Sequence, residues 1–251
     1  MINYLSIDFE SWTYPELPSF KSLTSNERKK LDNGYVKESA EKILELLDKH
    51  KTKLTFFIIG QLYEWYPDTI EAIEKAGHEI AYHTHSHDLL HSKEILVDTL
   101  NRSQKFLKKF KPKGFRAPTI LMNDEHLKTL KEHGFSYDSS VYGEYEKNEK
   151  NGIIQIPVSK LYKIPFGSGF FTALLGKNIG KMYKKINNQR KPVVTFIHNW
   201  QIIKPKNATF PNAKYMITHP YYAPYSWEIY DTFEYLLENF RFAPMQNLIE
   251  N

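Results

Sequence analysis

Five of the ten histidines fall between His78 and His91, and three of them stand in the run His83-Thr84-His85-Ser86-His87. Imidazole is the commonest metal ligand in proteins. Alternate side chains of an extended chain point to opposite faces, so a straight strand does not gather such ligands. A short turn after the apolar run Glu79-Ile80-Ala81-Tyr82 does: it folds His83 and His87, four apart, onto one ion. The chain has no cysteine. Any further ligand is therefore His, Asp or Glu, and a disulfide framework is excluded.

Other polar residues close apolar runs in the same way. Asp8 and Glu10 end the first, Arg116 follows Lys113-Gly114-Phe115, Asp138 follows Phe135-Ser136-Tyr137, and His198 follows Val193-Val194-Thr195-Phe196-Ile197. A charge at the end of a buried strand is costly unless paired. In a parallel barrel all these positions share the C-terminal rim, where active sites lie. Two imidazoles and one carboxylate leave open positions for water and substrate. Asp8 and Glu10, two apart, share a strand face. One of them can ligate while the other acts as base. Arg116 can hold the base ionised, His198 can protonate a leaving amine, and Asp138 can orient a histidine.

The elements that must carry these groups follow from periodicity. Residues 2–8 read as a strand and residues 12–31 as a Pro- and Ser-rich loop. Val36, Ala40, Ile43 and Leu47 form one helical stripe. The run 54–59 is a strand apolar on both faces. Pro67 starts a helix that Gly77 stops. Ser92 N-caps a helix carrying Ile95 through Leu107, and a helix over Asp124–Glu132 ends before Gly134. Residues 141–152 read as loop. Strands follow near Ile153–Val158 and Leu161–Ile164, then a Gly167-Ser168-Gly169 turn, a helix to Asn187, the strand ending at His198, and a final helix from Trp227 to Asn239 before a strand at Arg241-Phe242. Alternating strands and helices predict a parallel α/β arrangement. With no linker and no repeat, residues 1–251 are expected to form one catalytic domain.

Hydrophobic residues at 41% and charged residues at 25% match a soluble globular protein. No run approaches the roughly 20 apolar residues of a membrane span, and the first residues lack the pattern of a secretory leader. The expected location is the cytoplasm. The net charge of +5, with lysines clustered at 108–113 and 181–191, admits peripheral contact with an anionic membrane surface. A solvated lysine-rich face accounts for these clusters better, and no nucleic-acid partner is expected.

The ordered set resembles the polysaccharide deacetylases, the family 4 carbohydrate esterases. Ser6-Ile7-Asp8-Phe9-Glu10 stands for the first motif, His83-Thr84-His85-Ser86-His87 for the second and Arg116-Ala117-Pro118 for the third. Asp138-Ser139-Ser140 stands for the fourth and Ile197-His198 for the fifth. The likeness spans residues 2 to about 200. The first motif departs from it, with Asp-x-Glu where two adjacent aspartates are usual. Ile164 to Phe171 is similar to a branch found near exopolysaccharide clusters. The resemblance implies a distorted seven-stranded (β/α) barrel. It also implies a divalent metal, zinc first and cobalt, nickel or iron as alternatives, held by Glu10, His83 and His87. His85, His91 and His78 stay outside that shell.

By the same resemblance Asp8 is the base that takes a proton from water, with Arg116 and Asp138 in support. The Thr119 backbone N–H holds the oxyanion, and His198 protonates the departing amine. Trp12, Trp200 and Tyr222 are the stacking residues for a sugar. The resemblance implies an N-acylated sugar or glycan as substrate, and the expected cytoplasmic location with the basic surface points to a precursor for lipopolysaccharide or capsule. The alternatives are a barrel that binds a glycan or partner without turnover, and a metal-independent cyclic amide hydrolase.

Overall fold

The alternation of strands and helices builds one curled parallel sheet. In the computed structural model of the chain, which describes residues 1–14, 20, 22–146, 148–206, 217–219 and 223–249, the first five strands are β1 (Ile2–Phe9), β2 (Thr55–Ile58), β3 (Glu79–Tyr82), β4 (Gly114–Phe115) and β5 (Tyr137–Asp138). After them come β6 (Tyr142–Gly143), β7 (Asn148–Lys150), β8 (Ile153–Gln155), β9 (Val158–Ser159), β10 (Val194–His198) and β11 (Arg241–Phe242). Among the described residues, seven strands run parallel in the order β10-β1-β2-β3-β4-β5-β8. β7 adds an antiparallel edge to β8, and β11 pairs with the start of β1.

The opening between β8 and β10 is spanned by single hydrogen bonds. Gly167 donates to the Ser159 carbonyl at 2.9 Å, and Phe196 donates to the Gly167 carbonyl at 2.8 Å. A Cβ on Gly167 would lie 2.6 Å from the Val194 carbonyl oxygen, so only glycine fits this seam. The barrel is therefore distorted, as the resemblance implies.

Period-2 alternation sorts β1 into two faces. Leu5, Ile7 and Phe9 pack outward in the main core with Val36, Ala40, Ile43 and Leu47 of the helix Tyr35–Lys49. Tyr4 faces inward, joining Phe57, Ala81, Tyr137, Ile156, Val194 and Met245 in an apolar floor. Ser6, Asp8 and Glu10 continue that inner row upward, all buried. The sequence thus stacks a hydrophobic floor, a hydroxyl and two carboxylates along one face.

Several expectations are corrected. The 12–31 loop contains the helix Ser25–Asp32, nucleated by a capping box of Thr24 and Glu27; its polarity hides it from a periodicity search. A short helix Gln61–Trp65 directly follows β2. Ser92 precedes the helix Lys93–Arg102 without a side-chain cap, and a second helix, Gln104–Phe110, begins after Ser103. The break has a cause: the buried Ser103 hydroxyl lies 2.8 Å from the Tyr82 hydroxyl and 2.9 Å from His85 Nδ1. Residues 141–152 are not all loop, since they carry β6 and β7, and Leu161–Ile164 is a single bridge rather than a strand. The helix expected up to Asn187 is divided into Gly169–Leu175 and Ile179–Asn187 by a 3₁₀ turn at Gly176–Asn178.

Candidate active site

Glu10 follows β1 and is 1% exposed. Its Oε1 accepts the Trp200 indole N–H at 3.1 Å and lies 3.6 Å from His198 Nε2. Its Oε2 is buried without a hydrogen-bond partner, 3.7 Å from His87 Nε2. Ligand atoms of Glu10, His83 and His87 lie within 4.8 Å of one another. A buried carboxylate oxygen left unsatisfied is costly, and two imidazoles aimed at the same point are what a divalent ion would occupy. The donor set, two nitrogens and one oxygen, fits zinc or another first-row ion.

His83 is prepared for that role. Its Nδ1 lies 2.7 Å from the Arg116 carbonyl. A carbonyl only accepts, so Nδ1 carries the proton and Nε2 is left bare. Burial lowers the His83 pKa to about 4, against the pull of Asp8 and Glu10, which keeps the ring neutral. The loop beyond it is strained and braced. Thr84 and His87 both adopt left-handed backbone, φ 61° in each case, a cost usually met at functional sites. Gly60 and Gln61 donate to the Thr84 and His85 carbonyls at 2.9 Å. The Asp88 carboxylate accepts from Ser86, Thr99 and Arg102. His85 turns away to Ser103, outside the ligand set as expected.

Asp8 pairs with Arg116, Nη1 to Oδ1, at 2.6 Å. Burial pushes this carboxyl up, but Arg116, His83 and His198 together hold it below the ordinary range. Arg116 is fully buried. It donates to the Ser6 hydroxyl at 2.8 Å and to the carbonyl and hydroxyl of Ser139, and its guanidinium lies 4.0 Å from the Phe57 ring centre. Arg116 thus lies against Asp8, the carboxylate expected to act as base.

Asp138 is not. It orients no histidine among the described contacts. Its carboxylate accepts from the Ser140 hydroxyl at 2.5 Å and the Ser140 N–H at 3.2 Å. The Ser140 hydroxyl in turn accepts the Ala117 N–H at 2.8 Å. Asp138 therefore braces the backbone of the Arg116-Ala117-Pro118 motif. Burial raises its pKa to about 6. The residue at His198 Nδ1 is instead Gln201, whose Oε1 lies 2.9 Å away. A Cβ on Gly169 would lie 2.3 Å from that oxygen, so the glycine makes room for the amide.

Thr119 sits in a 3₁₀ turn and, like Ile120, has positive φ, 55° and 57°. Its side chain is exposed beside the rim. Trp12 is corrected: it is 5% exposed and packs edge-on against Phe20 in the core, so it offers no face to a sugar. Trp200 is also buried. It stacks on His198 at 4.4 Å and donates to Glu10, supporting the site from within. Tyr222 lies outside the described residues. An aromatic the sequence reading omitted is Tyr142, 39% exposed on β6. Its hydroxyl is raised to about 12, by burial first, and it feels Arg116, Asp8 and Ser168. Asn199, whose Oδ1 accepts the Glu10 N–H at 3.0 Å, Gln201 and Tyr142 were missed because none of them is a charged or metal-ligating residue type.

A family model described as polysaccharide deacetylase matches residues 30–137. The peptidoglycan-N-acetylglucosamine deacetylase of Bacillus cereus is 30% identical over 131 residues, 51% of this chain and 59% of that protein. A peptidoglycan-N-acetylmuramic acid deacetylase of Bacillus subtilis is 31% identical over 99 residues, 38% of this chain and 21% of that protein. The chain thus spans about three fifths or less of these relatives' lengths. In fold it is similar to a probable polysaccharide deacetylase from Pseudomonas aeruginosa, with a TM-score of 0.70 at 13% identity over 99% of this chain and 89% of that one. A protein assigned to the same class from Mycobacterium smegmatis gives a TM-score of 0.64 at 20% identity over 99% and 88%.

Proposed function

We propose that this chain is a metal-dependent hydrolase of the polysaccharide deacetylase family, whose model matches residues 30–137. It would remove an N-acetyl or similar short N-acyl group from a hexosamine glycan. The observation that carries the proposal is the buried, unpaired Glu10 Oε2 facing His87 and His83, directly beside the Asp8–Arg116 pair. Glu10, His83 and His87 are the residues that would hold the ion. A divalent ion bound there would acidify a water and polarise the substrate carbonyl. Asp8, which Arg116, His83 and His198 hold below the ordinary carboxylate range against burial, would take the proton from the attacking water. The Thr119 N–H is placed in the role of holding the carbonyl oxygen as charge develops on it. His198, with Gln201 at Nδ1 and Nε2 towards Glu10, hands a proton to the departing amine.

The relatives' names move the substrate proposal from lipopolysaccharide or capsule precursors towards N-acetylated glycans of the peptidoglycan type. Zinc is the proposed ion, with cobalt, nickel or iron as alternatives. The clustering of Glu10, His83 and His87 beside the Asp8–Arg116 pair supports this reading over a barrel without turnover and a metal-free cyclic amide hydrolase. The test is acetate release from N-acetylglucosamine oligomers, with metal content measured in parallel. The expected result is one ion per chain and release that a chelator abolishes. Release that persists in the metal-free protein would overturn the proposal.

A further inference from the structure

Charge is segregated along this chain. Residues 150–227 hold 12 lysines and arginines and no aspartate or glutamate. The remainder holds 22 basic and 29 acidic residues. The centre of the basic segment is the helix Ile179–Asn187, which buries Ile179, Tyr183 and Ile186 against the protein. Its other side carries Lys181, Lys184 and Lys185, all exposed. Next to it lies the bridge loop 161–164. Tyr162 there is 75% exposed with φ 56°, and Ile164 is 52% exposed. Lys185 Nζ lies 5.1 Å from the Tyr162 ring centre, which joins loop and helix into one face. Among the described residues no carboxylate pairs with Lys163, Lys181, Lys184 or Lys185.

The second lysine-rich stretch, on the helix Gln104–Phe110, differs. There Lys109 pairs with Glu71 at 3.3 Å, and Lys105 lies over Tyr63. On the other face Glu144 pairs with Lys191 and interacts with Lys160 at its margin, leaving Lys163, Lys181, Lys184 and Lys185 without a paired carboxylate among the described residues. Lysines alone would suit any polyanion. A large aromatic and a β-branched apolar side chain held outward among them gain nothing from a soluble polyanion, but they do gain from the headgroup boundary of a bilayer.

We infer that the face built by the 161–164 loop and the helix Ile179–Asn187 docks on an anionic phospholipid surface, with Tyr162 and Ile164 entering the interface and the lysines pairing with headgroups. The same loop runs through Gly167 to Gly169 beside Gln201 and His198, so docking holds the cleft at the membrane. If the deacetylase proposal is also right, the substrate is presented from a lipid anchor. That consequence rests on the deacetylase proposal, whereas the docking does not.

The test uses the full chain and no substrate. Cosedimentation is measured with phosphatidylcholine vesicles, with vesicles containing phosphatidylglycerol, and with inorganic polyphosphate as competitor. Binding is expected to the phosphatidylglycerol vesicles alone and to weaken with salt. The combined Lys181→Glu, Lys184→Glu and Lys185→Glu variant should bind at least about tenfold more weakly. Tyr162→Ser with Ile164→Ser should also bind more weakly, while Lys108→Glu with Lys111→Glu should match the parent. All of these positions are on the surface, and thermal unfolding checks each variant. Equal binding to both vesicle types, or unchanged binding by the triple variant, would overturn the inference. Polyphosphate binding that the Tyr162/Ile164 variant leaves intact, together with unchanged vesicle binding, would identify a soluble polyanion instead and overturn it as well.

Discussion

Two glutamates are buried at opposite ends of the same sheet, and they are treated differently. Glu79 begins β3 at the floor. Its Oε1 accepts the Tyr137 hydroxyl at 2.8 Å, and its Oε2 accepts the Thr55 hydroxyl at 2.6 Å and the Gln246 N–H at 3.0 Å. Burial raises its pKa, and those hydrogen bonds oppose the rise. Glu10, beyond the end of β1, has one oxygen tied to Trp200 and the other unsatisfied in front of two imidazoles. Depth is the same in both cases, so depth alone does not mark function. The closed hydrogen-bond set marks a structural carboxylate, and the open one marks a place for something else.

That contrast breaks first at Glu10. Glu10→Gln or His83→Ala should abolish stoichiometric metal binding, at least about a 100-fold loss in affinity, with deacetylation lost in step; elemental analysis after dialysis reads it. A variant that keeps its metal would make Glu10 a second Glu79. Asp8→Asn should retain the metal while turnover falls by about 10²–10⁴, which steady-state kinetics on an N-acetylglucosamine oligomer would show.

At the floor the expectation reverses. Glu79→Gln should leave metal content and turnover unchanged, because it lies at the other end of the sheet. It should cost about 1–3 kcal/mol of stability, measured by urea unfolding, since an amide NH₂ would face hydroxyl and N–H donors.

Acid should act through buried imidazoles rather than the paired carboxylate. Burial depresses His78 and His85 to about 4. A depressed group's contribution is present above the unfolded value of 6.5 and is lost as pH falls through about 4. Urea midpoints should therefore drop over that window, by about 3 kcal/mol at most for each ring. A flat profile would mean that the rings already titrate freely in the fold. The smallest effect is expected at Thr119, a β-branched residue in left-handed backbone. Thr119→Gly should be neutral or stabilising by up to about 1 kcal/mol without changing turnover, because only its backbone N–H is assigned a role.

Much of this was legible in the sequence because the informative residues sit where strands end. Asp8, Glu10, His83, His87, Arg116 and His198 do meet at one rim, and apolar alternation located the strands that carry them. Two kinds of feature stayed hidden. Helix Ser25–Asp32 is polar on most of its surface, so capping chemistry rather than periodicity defines it. Partners such as Gln201 on His198, or Ser140 under Ala117, are set by the crossing of distant segments, and neither residue type stands out in a one-dimensional reading. Trp12 shows the opposite error: an aromatic close in sequence to the site was expected to face a sugar, and packing against Phe20 took it inward.

Strand β1 lies between β10 and β2, with Tyr4 opposite Val194 and Asp8 opposite His198. Synthesis runs from the N-terminus, so β1, which carries Asp8, emerges well before its neighbour β10. Until that neighbour arrives, β1 keeps an open, largely apolar edge of the kind that recruits other chains. Pairing across so long a stretch of sequence is also slow. The candidate site is therefore completed only once β10 has emerged, and a ribosome stalled before residue 194 would hold β1 without His198 opposite Asp8.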